Sequence, residues 1–327
     1  MPLPTGDVIG ILADNLRLRG SVLPLSSRSA TRWTRGLGLP RGGETVLYTG
    51  QMYQLVPYIE GLVRAEQRLG ASPLARLSGV GRRVNRLVNV SAFMTRPPRR
   101  EREELDRVPR AVVQLLRGAG IEPGCLYEDD LYSGALAHDL GLDELVAAHA
   151  RRVQEVLHEH GVRRAITIDP HTTHMLRTVY PRLLEEWDVE VRSYLEVLAE
   201  LDDESRAARG EVVLHDSCVL ARHEDVVEEP RILLARAGLT VLEPDHAGRL
   251  TWCCGGPAES LYPEKALAQA RRRVEELRAA GGTVCVTACP LCLVNLEKAA
   301  GGRMRFRDLS EVLLEARAVE PAEPAAV

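Results

Sequence analysis

The segment YPEKALAQARRRVEELRAAGGTVCVTACPLCLVNL, residues 262–296, decides the fold. Its first part carries apolar residues at helical spacing and stops at two glycines, which are a helix stop signal. A short β-branched run follows, and Pro290 then opens a second helical pattern. The same alternation of short apolar runs and longer amphipathic segments recurs along the chain, and it predicts an α/β fold with parallel sheets and crossover helices. The predicted strands are 46–48, 165–168, 211–215, 239–243 and 283–287, and the clearest helices are 142–160 and 262–280.

An earlier copy of this pattern lies about 120 residues upstream. TIDPHTTHML (167–176) stands opposite TACPLCLVNL (287–296), and both sequences describe a strand end, a Pro in the first helical turn and a helix. VRSYLEVLAE (191–200) matches FRDLSEVLLE (306–315) at five of ten positions. We therefore expect two pseudo-repeated halves, each a small parallel sheet flanked by helices, with the ligand site in the cleft between them.

The two halves differ in length. The first strands, VLYTGQ (46–51) and VLHDSC (213–218), lie 167 residues apart, whereas Gly134 and Gly255, which the alignment of the two halves pairs, lie 121 apart. The first half therefore carries an insertion of roughly 46 residues, which we place near 71–110. We expect it to be a solvated excursion in preference to the alternative, a docking surface for a partner.

Composition excludes several classes of protein. The chain has 327 residues, 45% of them apolar, and a net charge of −4 with both signs mixed throughout. This charge pattern does not indicate a nucleic-acid surface. No apolar run reaches the length of a membrane span, and the N-terminus lacks the pattern of an export signal. We expect a cytoplasmic protein, either free or peripheral to a membrane complex. We expect it to have no nucleic-acid partner and no transmembrane segment.

The seven cysteines are clustered, since six of them fall from Cys218 onward. An odd, clustered count without an export signal favours a metal site over a disulfide framework. Cys285 lies inside a predicted strand and is expected to be a core residue, because cysteine is among the most readily buried side chains. Cys125 is interpreted as an incidental thiol.

The spacing of the other cysteines describes one site. Cys218 is followed by 34 residues, then Cys253 and Cys254, then 34 residues, then Cys289 and Cys292. Each lies just after a predicted strand or at the start of a helix, and the carboxyl ends of parallel strands share one edge of a sheet. Helix N-termini lower thiol pKa values, so thiolates suited to soft metals are expected there.

Both zinc and an iron-sulfur cluster are candidates for this site. A structural zinc ion takes four ligands, usually from two short cysteine loops. This chain offers one such loop, a vicinal pair and a fifth cysteine. Vicinal thiolates fit one tetrahedral ion poorly and fit a cluster well, since neighbouring sulfurs can reach neighbouring irons.

The cysteine pattern resembles the cysteine-rich CCG domain, which is found in heterodisulfide reductase catalytic subunits, the quinone-linked subunit of anaerobic glycerol-3-phosphate dehydrogenase and lactate-utilization iron-sulfur proteins. DNLRLRGSVLPLSSRSATRW (14–33) also resembles the linker that precedes the first CCG domain in longer members. The resemblance implies a [4Fe-4S] cluster, of the non-cubane type in heterodisulfide reductase, although other members hold ordinary clusters or zinc. The implied ligands are Cys218, Cys253, Cys254, Cys289 and Cys292.

The resemblance also implies a domain plan with a degenerate first repeat. We expect an N-terminal helical lead-in at 1–45, a degenerate CCG repeat at 46–205, an intact repeat at 206–316 and a disordered tail at 317–327. In the first repeat the cysteine positions are occupied by Gln51, Tyr132, Ser133, Asp169 and Thr172. Those residues are unable to hold a cluster.

Two hypotheses for function follow. The first is an oxidoreductase component that transfers electrons between a separate ferredoxin-like or flavin protein and a thiol, disulfide or quinone acceptor. A separate electron partner is expected because the sequence contains no Cys-x-x-Cys-x-x-Cys run. The second is a zinc-binding or redox-silent structural subunit of a redox complex.

Histidines near the cysteine segments admit two interpretations each. In DPHTTH (169–174), Asp169 is interpreted as a helix N-cap with polar first-turn residues, or His171 and His174 as part of a remnant metal or substrate site. His215 could donate a hydrogen bond or a proton near a cluster, or be a satisfied histidine at a strand end.

Overall fold

The computed structural model describes residues 5–23, 25–69, 97–201, 210–256 and 262–318. It contains two four-stranded parallel sheets flanked by helices, which confirms the predicted α/β fold with two pseudo-repeated halves. The expected placement of the ligand between the halves stays a prediction.

The strands run in the same order in both sheets. The first sheet is ordered β2-β1-β3-β4 and the second β6-β5-β7-β8. Their bounds are β1 Thr45–Tyr48, β2 Gly124–Cys125, β3 Arg164–Thr167, β4 Glu190–Ser193, β5 Gly210–Leu214, β6 Leu239–Leu242, β7 Val284–Thr287 and β8 Arg305–Asp308.

The helices connect these strands. In the first part of the chain they are α1 Thr5–Arg19, α2 Ser27–Ala30, α3 Met52–Leu69, α4 Arg99–Gly118, α5 Ala135–Asp139, α6 Asp143–Glu159, α7 Pro170–His174 and α8 Tyr180–Leu183. A π-helical turn, Met175–Val179, joins α7 to α8. The later helices are α9 Tyr194–Glu200, α10 Cys218–His223, α11 Glu228–Arg236, α12 Pro263–Ala279, α13 Pro290–Ala300 and α14 Leu309–Ala318. Within the described part of the chain, no helix is both long enough and apolar enough to cross a membrane.

The internal repeat extends to details of the backbone. Helices α6 and α12 each have 17 residues and begin 120 positions apart. Gly134 and Gly255, which the alignment of the two halves pairs, both have φ of 80°. This left-handed backbone favours glycine, so each half keeps the same turn after its long loop.

Three strands were not predicted from the sequence. Strands β2, β4 and β8 read GC, EVRS and RFRD, which are too short or too polar to show a strand pattern. Their pairing with longer neighbours specifies them, as in β8, which is in register with β7 from Val284 and Arg305 to Thr287 and Asp308.

The chain also divides into two compact units that interleave along the sequence. The first comprises residues 1–109, 124–167 and 175–191, and the second comprises residues 110–123, 168–174 and 192–327. The segment that carries α7 belongs to the second unit, although the repeat assigns it to the first half. The domain boundaries expected from the repeat stay predictions.

Two predicted regions lie largely outside the described residues. Most of the insertion near 71–110 and most of the tail at 317–327 fall there. The described end of the insertion forms the start of α4, where Arg99 and Arg100 are exposed and form ion pairs with Glu103 and Glu104 at 2.6 and 2.8 Å. Such exposed pairs contribute little to stability.

The core of the second half explains why three of the five clustered cysteines are buried. Val213 on β5 and Cys285 on β7 pack with Val274 and Leu277 of α12 and Leu296 of α13, and all five are fully buried. The expectation that Cys285 is a core residue is therefore confirmed. The same cluster includes Cys254, Cys289 and Cys292, so these thiols lie at the edge of an apolar core.

Candidate metal centre

Three segments of the second half bring the predicted cysteine ligands together. Cys218 is the first residue of α10, four positions beyond the end of β5. Cys289 is the N-cap of α13 and Cys292 lies in its first turn, with Pro290 at the first helical position as predicted. Cys253 and Cys254 lie in the loop that follows β6 and precedes α12. The adjacent strands β5 and β7 thus deliver their cysteines to the same edge of the sheet.

The five thiols form a continuous chain of contacts. Cys253 forms hydrogen bonds with Cys218 and Cys254. Cys254 and Cys292 have their sulfur atoms 3.2 Å apart, and Cys292 also contacts Cys289. Among the described residues, no three His, Cys, Asp or Glu side chains surround one point as the ligands of a single metal ion do.

The thiols differ in their tendency to ionise. Hydrogen bonds from Cys218 and Cys254 lower the pKa of Cys253 far below its ordinary value. Burial opposes ionisation of Cys289, but hydrogen bonds from Cys292 and His171 outweigh it and hold that pKa well below the ordinary value. The pKa values of Cys218 and Cys254 are raised because each thiol donates to Cys253. Ionisation is therefore easier at Cys253 and Cys289 than at the other three thiols of the site.

Glycines allow the backbone to approach the sulfur atoms closely. The Gly255 N–H donates to the Cys253 sulfur at 3.3 Å. A Cβ on Gly256 would lie 3.4 Å from the Cys254 sulfur and 3.1 Å from Cβ of Leu291. The surface beside the thiols is thus lined by backbone that a larger residue would cover. Such backbone donors to sulfur are among the features that tune iron-sulfur centres.

One face of α12 holds the loop that leads into the vicinal cysteines. Gln269 donates to the Cys253 carbonyl at 3.1 Å, and the Arg272 guanidinium lies 3.9 Å from the centre of the Trp252 ring. Trp252 stacks on His246, with ring centres 4.2 Å apart. Glu276 accepts from the backbone N–H of His246 at 2.8 Å. Spacing of three or four residues places these α12 side chains on one face, so the helix fixes the loop conformation.

A second anchor ties this loop to the end of β5. Asp216 is 5% exposed and accepts two hydrogen bonds from Arg231, both at 2.9 Å. The same carboxylate accepts from the Gly248 N–H at 2.7 Å, and the Thr251 hydroxyl donates to the Asp216 carbonyl at 3.0 Å. Bidentate Arg–carboxylate bonds are geometrically specific, so the position of the vicinal cysteines relative to Cys218 is well determined.

The DPHTTH segment joins the cysteine site, which its place in the first repeat did not predict. Asp169 caps α7, since it accepts from the backbone N–H groups of His171 and Thr172 at 2.9 and 3.0 Å. This confirms the N-cap interpretation. The side chain of His171, 8% exposed, donates to Cys289. The sequence clue was the histidine one position after Pro170 in a segment aligned with Cys289 and Cys292.

Beyond His171, α7 meets α10 in a cluster of polar side chains. His174 forms a 2.6 Å hydrogen bond with Glu224, whose side chain is 1% exposed. The His174 and His223 rings have centres 4.9 Å apart. Burial, followed by the charge of His174, lowers the pKa of His223. These contacts hold the His171 segment against the helix that begins with Cys218.

The corresponding loop in the first repeat is held by hydrogen bonds from side chains. The backbone carbonyls of Leu131, Tyr132 and Ser133 accept from Tyr48, His149 and Tyr180 at 2.8, 2.5 and 2.9 Å. Tyr132 and Ser133, which stand where the vicinal cysteines would be, are buried.

Asp130, next to this loop, fixes the end of β1. It is 3% exposed, and its carboxylate accepts from the Thr49 N–H at 3.0 Å, the Thr49 hydroxyl at 2.6 Å and the Gly50 N–H at 3.2 Å. Gln51, at the first cysteine position, donates to the Asp130 carbonyl at 2.5 Å. In the first repeat, neutral and charge-assisted hydrogen bonds therefore connect these loops. The corresponding loops of the second repeat carry the cysteines.

Comparison with known protein families finds a match that covers the cysteine site. Residues 212–297 match the model of the cysteine-rich CCG domain, and this range includes all five clustered cysteines. The resemblance to the CCG family is therefore confirmed for this part of the chain.

Several curated proteins are similar over a longer range. The EtfAB:quinone oxidoreductase of Syntrophomonas wolfei is 31% identical over 229 residues, which cover 64% of this chain and 32% of that protein. The probable iron-sulfur-binding oxidoreductase FadF of Bacillus subtilis is 27% identical over 222 residues, covering 64% of this chain and 31% of that protein. One subunit of the dihydromethanophenazine:CoB–CoM heterodisulfide reductase of Methanosarcina mazei is 27% identical over 225 residues, covering 64% and 55%. The chain thus spans about a third to a half of the length of these relatives.

Gly255 offers a test of the turn that follows the vicinal cysteines. A Cβ there would lie 2.6 Å from the Ala266 carbonyl oxygen, whereas Gly281, with φ of 98°, has no atom within 4 Å of its Cβ position. Gly281→Ala should cost about 1–2 kcal/mol for left-handed backbone. Gly255→Ala should cost about 1–3 kcal/mol more because of the clash. Guanidinium unfolding measures both, and equal losses would contradict the packing described for this turn.

Asp130 offers a test of the first repeat. Asp130→Asn removes the charge and one acceptor oxygen, so the free energy of unfolding should fall by about 2 kcal/mol. Asp139→Asn, at an exposed position of the same unit, is the matched control and should change stability by less than about 0.5 kcal/mol. Urea unfolding of the two variants gives the comparison, and an unchanged Asp130→Asn protein would show that the Thr49 and Gly50 bonds do not hold the β1 loop.

Proposed function

We propose that this chain is an iron-sulfur redox subunit that passes electrons between a partner redox protein and a thiol, disulfide or quinone acceptor. The observation that carries the proposal is the continuous contact chain from Cys218 through Cys253, Cys254 and Cys292 to Cys289. A set of five thiols offers the soft donor chemistry that suits an iron-sulfur centre.

The residues proposed to hold the cluster, of the [4Fe-4S] type and in a non-cubane form, are these five cysteines. When bound, such a cluster supplies one-electron redox chemistry. The chain itself contributes Cys253 and Cys289, whose hydrogen bonds lower their pKa values, and a backbone N–H donor at Gly255. The apolar side chains around Cys254 and Cys292 exclude water from that side of the site.

Zinc binding is the weaker proposal for the same cysteines. A structural zinc ion would use four of the thiols and leave the fifth buried beside it. The vicinal pair contacts different partners at its two sulfurs, since Cys253 meets Cys218 and Cys254 meets Cys292. This division suits two neighbouring irons better than one tetrahedral ion. One of the similar proteins, FadF of Bacillus subtilis, is also named for iron-sulfur binding.

The proposed electron partner lies outside these 327 residues. The two cysteines beyond the site, Cys125 and Cys285, are both buried in strands, so this sequence offers thiols for one cluster. The name of one relative pairs an electron-transfer flavoprotein with quinone, and that of another contains a heterodisulfide. These names support a flavoprotein or ferredoxin-like partner on one side and a quinone or disulfide on the other. A peripheral place on a membrane complex would suit a quinone acceptor.

Cysteine substitutions test this proposal directly. Cys254→Ser should lose or convert the cluster, because a hydroxyl is a poor ligand for iron and Cys254 contacts both Cys253 and Cys292. Cys125→Ser, a matched change at a buried thiol outside the site, should leave the cluster unchanged. Iron content and visible absorption near about 400 nm of anaerobically purified proteins give the measurement. A Cys254→Ser protein with wild-type iron and an unchanged spectrum would overturn the ligand assignment.

A further inference from the structure

His215 is a buried histidine at the carboxyl end of β5, three residues before Cys218. His215 is 1% exposed, and its backbone N–H donates to the Val286 carbonyl on β7 at 2.9 Å. The backbone N–H is therefore satisfied by the neighbouring strand. The imidazole has two nitrogen atoms to account for in a place that water does not reach.

Arg273 determines which of these nitrogens carries the proton. Arg273 Nε donates to His215 Nδ1 across 3.2 Å, because a guanidinium nitrogen is always a donor. His215 Nδ1 is therefore the acceptor, and the single proton of a neutral imidazole is assigned to Nε2 from this partner. Arg273 is fully buried and is itself fixed by the His246 carbonyl at 3.0 Å and by Glu276 at 2.7 Å. The guanidinium is thus held in place to fix the imidazole.

The neutral form follows from the surroundings of the ring. Burial, and then the charge of Arg273, lower the pKa of His215 to about 3. At neutral pH the ring therefore has one N–H, at Nε2. Among the described residues, Nε2 has no hydrogen-bond partner. An unmade hydrogen bond of a buried N–H costs about 1–3 kcal/mol, so the position calls for an acceptor that is not part of the described chain.

The acceptor is indicated by the place of His215 in the chain, just after β5 and three residues before Cys218. His215 and Cys253 act on each other electrostatically, since each shifts the pKa of the other towards its charged form. An anionic sulfur centre held by these cysteines would provide the acceptor that the Nε2 hydrogen lacks.

We infer that His215 is a positioning residue that donates its Nε2 hydrogen to the sulfur centre held by the five cysteines, with Arg273 fixing the tautomer. The inference rests on the proposed function, because it takes the centre to be an iron-sulfur cluster. A hydrogen bond to a cluster sulfur stabilises the more negative, reduced state and so raises the reduction potential. His215 would therefore act on the potential of the cluster and leave the set of ligands unchanged.

Redox titration of matched His215 variants tests the inference. His215→Phe removes the donor and should make reduction roughly tenfold less favourable, a negative shift of about 59 mV for one electron. His215→Gln keeps an N–H donor of similar reach and should restore most of the wild-type potential. His158→Gln, an exposed position that pairs with Asp188, is the control and should not shift it. Iron and sulfide are counted in every sample.

The outcomes separate this inference from the proposed function. Wild-type protein without iron or sulfide would overturn both. A wild-type cluster with the same potential in His215→Phe would overturn the inference alone. If His215→Phe takes up no iron, the wild type and His215→Gln are labelled with ¹⁵N-histidine and examined by pulsed electron paramagnetic resonance of the reduced cluster. A ¹⁵N coupling present in the wild type and lost in His215→Gln supports the hydrogen bond, and identical spectra would contradict it.

Discussion

The contact of five thiols at one edge of a parallel sheet is the constraint on which the second half of this protein depends. Parallel strands with crossover helices place every strand end on the same side. Because β5 and β7 are neighbours, the residues that follow them, Cys218 and Cys289, come together without any distortion of the sheet. The vicinal cysteines arrive on a long loop, and much of the polar structure around it serves to hold that loop. Asp216 anchors it to the strand end, and the face of α12 that includes Arg272 and Arg273 anchors it to the helix.

The two halves have the same sheet topology, but different side chains hold the loops at the ends of their strands. Both sheets have the same strand order, and both keep a left-handed glycine after the long loop. In the first half, buried hydroxyl, imidazole and carboxylate groups connect the loops, as Tyr48, His149 and Asp130 show. Those bonds are individually weaker than metal–thiolate bonds, but they need no cofactor to form. A sheet of this order can therefore be held at its loops without cysteines at these positions.

Much of this could be predicted from the sequence because it depends on local patterns and fixed offsets. The helix–Gly–strand–Pro pattern located β3 and β7, and the cysteine spacing identified the five thiols that lie in contact. The sequence suggested His171 only for a remnant site of the first half, and its contact with Cys289 could not be predicted, since the chain packs α7 with the second unit. The role of Arg273 could not be predicted either. It is one of three consecutive arginines on an amphipathic helix, and only packing shows that this one is fully buried beside His215.

The central claim is that one set of five cysteines holds one iron-sulfur cluster in a chain whose first repeat holds none. Iron, acid-labile sulfide and zinc, counted per chain after anaerobic purification, test it most directly. The account predicts about four irons and a similar amount of sulfide, without stoichiometric zinc. One zinc per chain with no sulfide would contradict the claim, and about eight irons would contradict the view that the first repeat binds no cluster.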